Sequence, residues 1–342
     1  MDPYGLRRVV SPAGVLPQRA AVVDPALPLG EDELAIAVEA LNVDAASFRQ
    51  LEGAVGRDPD RIAEEVLGIV RAHGKMHNPV TGSGGMLLGR VRAIGPAHPA
   101  AAALRPGDRI ATLVSLTLTP LRLDRIRAVR PELDRVDCDG EAILFATGLW
   151  ARLPEDLPEA VVLAALDVCG APALVARHLR PGQRVLVLGA GKAGALVAVQ
   201  ARESVGKGGT IALADLSAAA LDALGALGVA DARLRVDASD PLAVLAAAEA
   251  AGGPFDVVVS CTSAPGAEMG AVLAARDGGT VIFFSMATSF TAAALGAEGV
   301  GKDATLVIGN GYVPGHAELT LELLRRHAPL RALFEARHTR SP

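Results

Sequence analysis

The sequence predicts an α/β protein of two domains, an antiparallel β-rich first half followed by a doubly wound parallel sheet. Three observations lead there. At 342 residues the chain exceeds what one ordinary core holds. From residue 183 onward, apolar β-branched runs alternate with alanine-rich helical segments, as in a parallel sheet covered on both faces. Before residue 150 the runs are short, proline is frequent and helical periodicity is scarce. The expected domains are residues 1–153 and 154–313, with 314–342 packing back on the first.

Composition narrows the class. Hydrophobic residues make up 51% of the chain, largely alanine, but charges and prolines such as Glu159, Asp167 and Pro172 interrupt the apolar stretches. None reaches the ~20 residues that a spanning helix needs. The opening "MDPYGLRR" lacks the apolar core of a signal peptide. Cys138, Cys169 and Cys261 are far apart and form no disulfide framework, so the expected location is a reducing cytoplasm. A net charge of −5 without a basic stripe, and only 3% aromatic residues, argue against nucleic-acid binding.

In the first half, "LAIAVEALNVD" (34–44) alternates like a strand. "DPDRIAEEVLGIVRAHG" (58–74) has the spacing of a helix. "LLGRVRAIGP" (87–96) and "LRPGDRIATLV" (104–114) read as strand, turn, strand in an antiparallel barrel. Between these elements, "KMHNPVTGSGG" (75–85) departs from its surroundings. It crowds Lys75, His77, Asn78, Thr81 and Ser83 together with three glycines, where a backbone must turn or meet something closely.

In the second half, "RVLVLG" (184–189) is a buried strand that runs into "GAGKAG" (189–194) and then directly into an alanine-rich helix. Gly189, Gly191 and Gly194 suit a tight turn, a close approach to a pyrophosphate and tight helix–strand packing. Lys192 and Ala193 open the helix whose N-terminus would face the phosphates. A second strand, "TIALAD", ends in Asp215, 21 residues past Gly194, where a carboxylate accepts both ribose hydroxyls and repels a 2′-phosphate. The expected cofactor is therefore NAD. "ADARLRVDAS" (230–239), "FDVVVSCT" (255–262), "TVIFFSMA" (280–287) and "TLVIGNG" (305–311) supply strands three to six. Thr262 joins the expected cofactor residues. "PLAVLAAAEAAG" (241–252) and "GAEMGAVLAARDGG" (266–279) are helices, as is "GHAELTLELLRRHAPL" (315–330).

A barrel followed by "LPEDLPEAVVLAALDVCGAPALVARHLRPGQRVLVLGAGKAG" (153–194) resembles the medium-chain dehydrogenase/reductase superfamily. The resemblance implies a GroES-like catalytic domain and a Rossmann cofactor domain. The zinc-dependent members place a cysteine where this chain has "LNVDAAS", and "GHE" where it has "TGSGG"; no C-x-x-C occurs anywhere. No metal is expected, although Asp44, Asp167, His73, His77 and Cys169 leave an unusual site open. "HNPVTGSGGMLLG" (77–89) and "DVCGAP" (167–172) resemble a zinc-free branch, the L-erythro-3,5-diaminohexanoate dehydrogenases. That resemblance implies NAD-dependent oxidative deamination at C3, giving 5-amino-3-oxohexanoate and ammonia in lysine fermentation.

Asp167 interrupts the apolar "VVLAALDVCGA" and reads as a buried acid that binds a substrate ammonium or takes its proton. The alternative is a carboxylate satisfied by backbone N–H groups at a helix start. Asp44 and Ser47 are candidates on the barrel loop, with helix capping by Asp44 as the competing explanation. Lys75 and His77 are expected to be catalytic, unless Lys75 belongs to a solvated loop. Asn78, Thr81 and Ser83 are expected to bind the substrate, and the backbone N–H groups of "GSGG" are expected to form an anion nest for its carboxylate. Cys169 reads as a packed hydrophobe. The expected partner is a small diamino acid, with no nucleic acid and no membrane, in a homodimer formed through the edge strands "TVIFFSMA" and "TLVIGNG". The rival functions are a zinc-free quinone- or enoyl-reductase and a cofactor-binding protein without turnover.

Overall fold

The computed structural model describes residues 1–77, 84–285, 288–309 and 311–338. The chain divides into two compact units, Met1–Glu159 and Ala160–Pro342. The first begins with a short antiparallel pair, β1 (Val9–Ser11) and β2 (Val22–Val23). Its main elements are β3 (Glu33–Asn42), α1 (Ala45–Val55), α2 (Pro59–His73), β4 (Met86–Ile94), β5 (Arg109–Thr112), β6 (Leu121–Arg130), β7 (Arg135–Phe145) and β8 (Trp150–Arg152). The strands form one sheet in the order β6-β7-β3-β4-β5-β8, antiparallel at every pairing.

α2 is the helix expected over 58–74. Asp58 caps it by accepting from the Asp60 N–H, Pro59 occupies the first turn, and Gly74 ends it at φ 67°. Ile62, Val66 and Val70 face the core. Burying each contributes about 1.5–3 kcal/mol. They join Leu34, Ile36, Leu87 and Val136 from the sheet.

The second unit contains α3 (Glu159–Leu166, starting at the division), α4 (Gly170–His178), β9 (Arg184–Leu188), α5 (Lys192–Val205), β10 (Thr210–Asp215), α6 (Ala218–Gly225) and β11 (Ala232–Arg235). It continues with α7 (Pro241–Ala250), β12 (Phe255–Ser260), α8 (Glu268–Ala274), β13 (Ala275–Phe283), α9 (Phe290–Gly299), β14 (Ala304–Ile308), α10 (His316–Arg326) and α11 (Ala328–His338). The sheet is parallel throughout, in the order β11-β10-β9-β12-β13-β14. Connectivity reverses between β9 and β12, and in such sheets a ligand binds beyond the carboxyl ends of those two strands.

Several local expectations shift. The helix expected over 266–279 stops at Ala274, because "ARDGG" enters β13 with Gly278 at φ 67°. β13 lies between β12 and β14, so of the two strands expected at the edge only β14 is there. The helix expected over 315–330 is two helices broken at His327 (φ −113°, ψ 86°), with Pro329 in the first turn of the second. Both fall in the second unit, where α10 packs on α4 and α5, and α11 on α5. Among the described residues no single helix is long and apolar enough to cross a membrane.

Candidate active site

At the carboxyl end of β9 the three motif glycines take three distinct roles. Gly189 turns the chain at φ 101°, and a Cβ there would stand 2.9 Å from the Thr262 nitrogen. A Cβ on Gly194 would fall 1.9 Å from the Gly189 carbonyl oxygen, so only glycine lets α5 pack this tightly. Gly191, the N-cap of α5, has open space where its Cβ would be. The loop thus presents bare backbone and a helix N-terminus at the topological switch point, which fits a pyrophosphate.

Asp215 closes β10 beside this loop. Its Oδ2 accepts from the Ala190 N–H at 2.7 Å and its Oδ1 from the Ser217 N–H at 2.8 Å. The carboxylate is held in place by backbone donors, with lone pairs left for a ribose. Thr262 follows β12 against Gly189, its hydroxyl oxygen accepting from the Ala264 N–H at 3.1 Å. Ala193 lies buried in the first turn of α5.

Asp167 departs from its expected setting. It is exposed to solvent in the turn between α3 and α4, and its side chain is ion-paired with Lys192. The apolar neighbours that suggested a buried acid, Leu166 and Cys169, do point inward and are 3% exposed each. The turn places Asp167 on the other side. Cys169 is the packed thiol expected: burial pushes its pKa up to about 12, and it stays protonated.

In the first unit, Asp44 is the N-cap of α1. Its carboxylate accepts from the Ser47 N–H at 2.9 Å and pairs with the Ser47 hydroxyl at 2.6 Å. Both are therefore engaged in capping, the competing explanation. Lys75 is not a solvated loop residue. It is fully buried, and its Nζ donates to the Pro17 carbonyl at 2.7 Å. Burial lowers its pKa to about 8.

His77 lies close by, its ring 5.0 Å from that of His73. His73 Nδ1 donates to the Ala21 carbonyl at 2.8 Å. Burial first, then the charges of Lys75 and His73, lower the pKa of His77. Its Nδ1 is buried without a hydrogen-bond partner among the described residues.

Asn78, Thr81 and Ser83 lie outside the described residues, so the proposed nest is described only at its end. There the Gly84 N–H donates to the Ser115 hydroxyl at 3.2 Å. Gly85, at φ 84°, brings its Cα so close to β3 that a Cβ would stand 2.1 Å from the Asn42 carbonyl. At least these two glycines serve packing and turning. Among the described residues no three His, Cys, Asp or Glu side chains gather as metal ligands.

His73, which the sequence grouped with His77 only as a conceivable metal ligand, is its ring partner, four residues before it. Sequence reasoning missed that α11 packs on α5, the helix that follows the glycine loop. Nothing in the sequence marks that packing, since more than a hundred residues separate the two helices.

Residues 7–154 match the L-erythro-3,5-diaminohexanoate dehydrogenase N-terminal domain. The L-erythro-3,5-diaminohexanoate dehydrogenase of Acetoanaerobium sticklandii is 47% identical over 335 residues, covering 97% of each chain. That of Fusobacterium nucleatum subsp. nucleatum is 47% identical over 340 residues, again covering 97% of each. Among solved structures, the alcohol dehydrogenase TADH of Thermus sp. ATN1 superposes with a TM-score of 0.53 at 17% identity, covering 93% of this chain and 92% of that one. At that identity the likeness concerns the fold alone, a β-rich domain joined to a Rossmann domain. The extent and level of identity to the two named dehydrogenases place this chain in the L-erythro-3,5-diaminohexanoate dehydrogenase family.

Proposed function

We propose that this chain is an NAD-dependent amine dehydrogenase that converts L-erythro-3,5-diaminohexanoate to 5-amino-3-oxohexanoate and ammonia. The observation carrying this reading is the 47% identity that extends over 97% of both chains in each named relative. The strand, glycine loop, helix and terminal acid fit a nicotinamide dinucleotide, and Asp215 favours the form without a 2′-phosphate. When bound, the nicotinamide supplies the acceptor for the hydride that leaves C3.

The chain's own task is to manage protons and charge. At neutral pH the substrate carries two ammonium groups and a carboxylate. The C3 nitrogen must lose a proton before it has the lone pair that forms an imine. Water then adds to the imine carbon, and ammonia leaves as the ketone forms. Asp167 is suited to hold an ammonium or accept its proton, with Lys192 fixing the position of its carboxylate. His77, its pKa lowered by burial and then by the charges of Lys75 and His73, is suited to relay a proton or activate the water. Lys75 supports the start of the loop from within the protein.

Incubating the purified protein with NAD and 3,5-diaminohexanoate while following NADH absorbance tests the reading. NADH should appear together with one equivalent of ammonia. Tight NADH binding with no turnover of this diamine would overturn the proposal.

A further inference from the structure

β11, the strand outside β10, carries two arginines on one side. Arg233 and Arg235 are two residues apart in the strand and therefore point to the same face of the sheet. Arg233 has an acid partner there, its Nη1 donating to Asp222 of α6 at 2.9 Å. Arg235, next toward the carboxyl end, has none among the described residues. Its Nε donates to the Leu216 carbonyl at 3.3 Å, which leaves four N–H donors of the guanidinium without an acceptor among those residues.

That hydrogen bond fixes where the charge sits. Asp215 and Arg235 are register partners on β10 and β11, so they share a face on strands about 4.8 Å apart. Backbone pairing of the two strands ends where the Val236 N–H donates to the Asp215 carbonyl at 3.1 Å. The Arg235 side chain adds the next rung, on Leu216, and so stands past the carboxyl end of β10. The turn that it holds is itself braced: the Ser217 N–H donates to Asp215 Oδ1 at 2.8 Å, and the Ala220 N–H donates to the Ser217 hydroxyl at 3.2 Å. The exposed guanidinium thus lies beside the acid that suits the ribose, on the edge where such sheets bind their ligands. Its bond goes to the Leu216 carbonyl and not to the Asp215 carboxylate, whose oxygens accept from Ala190 and Ser217.

We propose that Arg235 is the partner of a 2′-phosphate on the adenosine ribose, and that it sets how strongly the enzyme discriminates against NADP. The inference rests on the dehydrogenase reading and deepens it. Asp215 by itself accepts from ribose hydroxyls and repels a 2′-phosphate, which favours NAD. A guanidinium one strand further out has the planar fork that binds a phosphate through two N–H groups. The uncharged ribose of NAD gives that fork little to hold, whereas a 2′-phosphate gives it a full charge. Arg235 therefore offsets part of the repulsion from Asp215, and the enzyme prefers NAD without being closed to NADP.

Fluorescence titration of the full chain with NADH and with NADPH tests this without turnover. The wild type should bind NADH more tightly and NADPH measurably. Arg235→Ala should weaken NADPH by about tenfold, the scale of one charge-assisted contact, while NADH changes by less than about threefold. Arg235→Gln, which retains an N–H donor for the Leu216 carbonyl, should show the same selective loss, and it separates loss of the charge from loosening of the turn. An unchanged NADPH-to-NADH ratio in both variants overturns the inference. Equal weakening of both dinucleotides in both variants also overturns it, because the guanidinium then serves a part that the two cofactors share. So does a wild type that binds NADH but no measurable NADPH. A wild type that binds neither dinucleotide would overturn the dehydrogenase reading itself, and this inference with it.

Discussion

Lys192, the first residue of α5, is ion-paired with Asp167 in the turn between α3 and α4. The pair ties a carboxylate to the loop that fits the dinucleotide, so the acid's position is set by the same backbone that would hold the cofactor. Being solvent-accessible, the pair contributes at most about 1 kcal/mol to stability.

A functional role and a structural one can therefore be separated at Asp167. Asp167→Asn should lower turnover of 3,5-diaminohexanoate by about 10²- to 10⁴-fold, the usual loss for a general base. NADH affinity and thermal stability should stay near wild type. Turnover close to wild type would remove Asp167 from proton transfer.

His77→Ala tests the other proton-handling residue. The expected loss in turnover is again about 10²-fold or more. Filling the space without the proton-accepting nitrogen, as in His77→Phe, should not restore it. Rescue by Phe would mean that the ring serves packing alone.

Lys75 should give stability a distinctive pH dependence. Its folded pKa, about 8, lies below that of an exposed lysine, so between pH 8 and about 10.4 the unfolded chain binds a proton that the folded chain does not. Stability attributable to Lys75 must then rise with pH across that window and be flat below it. The rise amounts to roughly 3 kcal/mol. The difference in urea unfolding free energy between wild type and Lys75→Met, measured from pH 7 to 10.5, reads it directly. A difference independent of pH would show that the amine is not held in a low-dielectric site.

Two glycine variants should separate folding from ligand binding. Gly194→Ala puts a Cβ on the Gly189 carbonyl and should destabilise the protein by about 1–3 kcal/mol. Gly191→Ala meets open space at an ordinary φ of −75°, so stability should change by less than about 0.5 kcal/mol. NADH binding should nonetheless weaken by about tenfold, because the methyl occupies the approach of the pyrophosphate. Unfolding curves and NADH titrations of the two variants decide it.

Asp215→Ser tests cofactor choice. The wild type should prefer NAD over NADP by more than about tenfold, since a carboxylate–hydroxyl hydrogen bond contributes about 1.5–3 kcal/mol. The variant should narrow that ratio mainly by losing affinity for NAD. The loss includes some loosening of the loop, because Asp215 also accepts from the Ala190 N–H. Equal use of both cofactors by the wild type would remove Asp215 from the assignment.

The sequence by itself determined the elements whose signal is local. "RVLVLGAGKAG" specified a strand, a turn and a helix because branched apolar residues, glycines and alanines each restrict the backbone in place, and β9, the loop and α5 follow it residue by residue. The capping Asp58, Pro59 and Gly74 bounded α2 in the same way. Tertiary structure decided whatever depends on which side of an element faces inward. Asp167 looked buried among apolar neighbours, yet a turn of three residues directs it outward to Lys192, and no periodicity covers a turn. Lys75, expected in the catalytic site or else on a solvated loop, is buried, because its partner is the Pro17 carbonyl, 58 residues away. The position of α11 beside α5 rests on contacts such as His327–Glu203 across more than a hundred residues. A single chain carries no local signal of such a pairing, because the pairing depends on packed surfaces rather than on backbone preference.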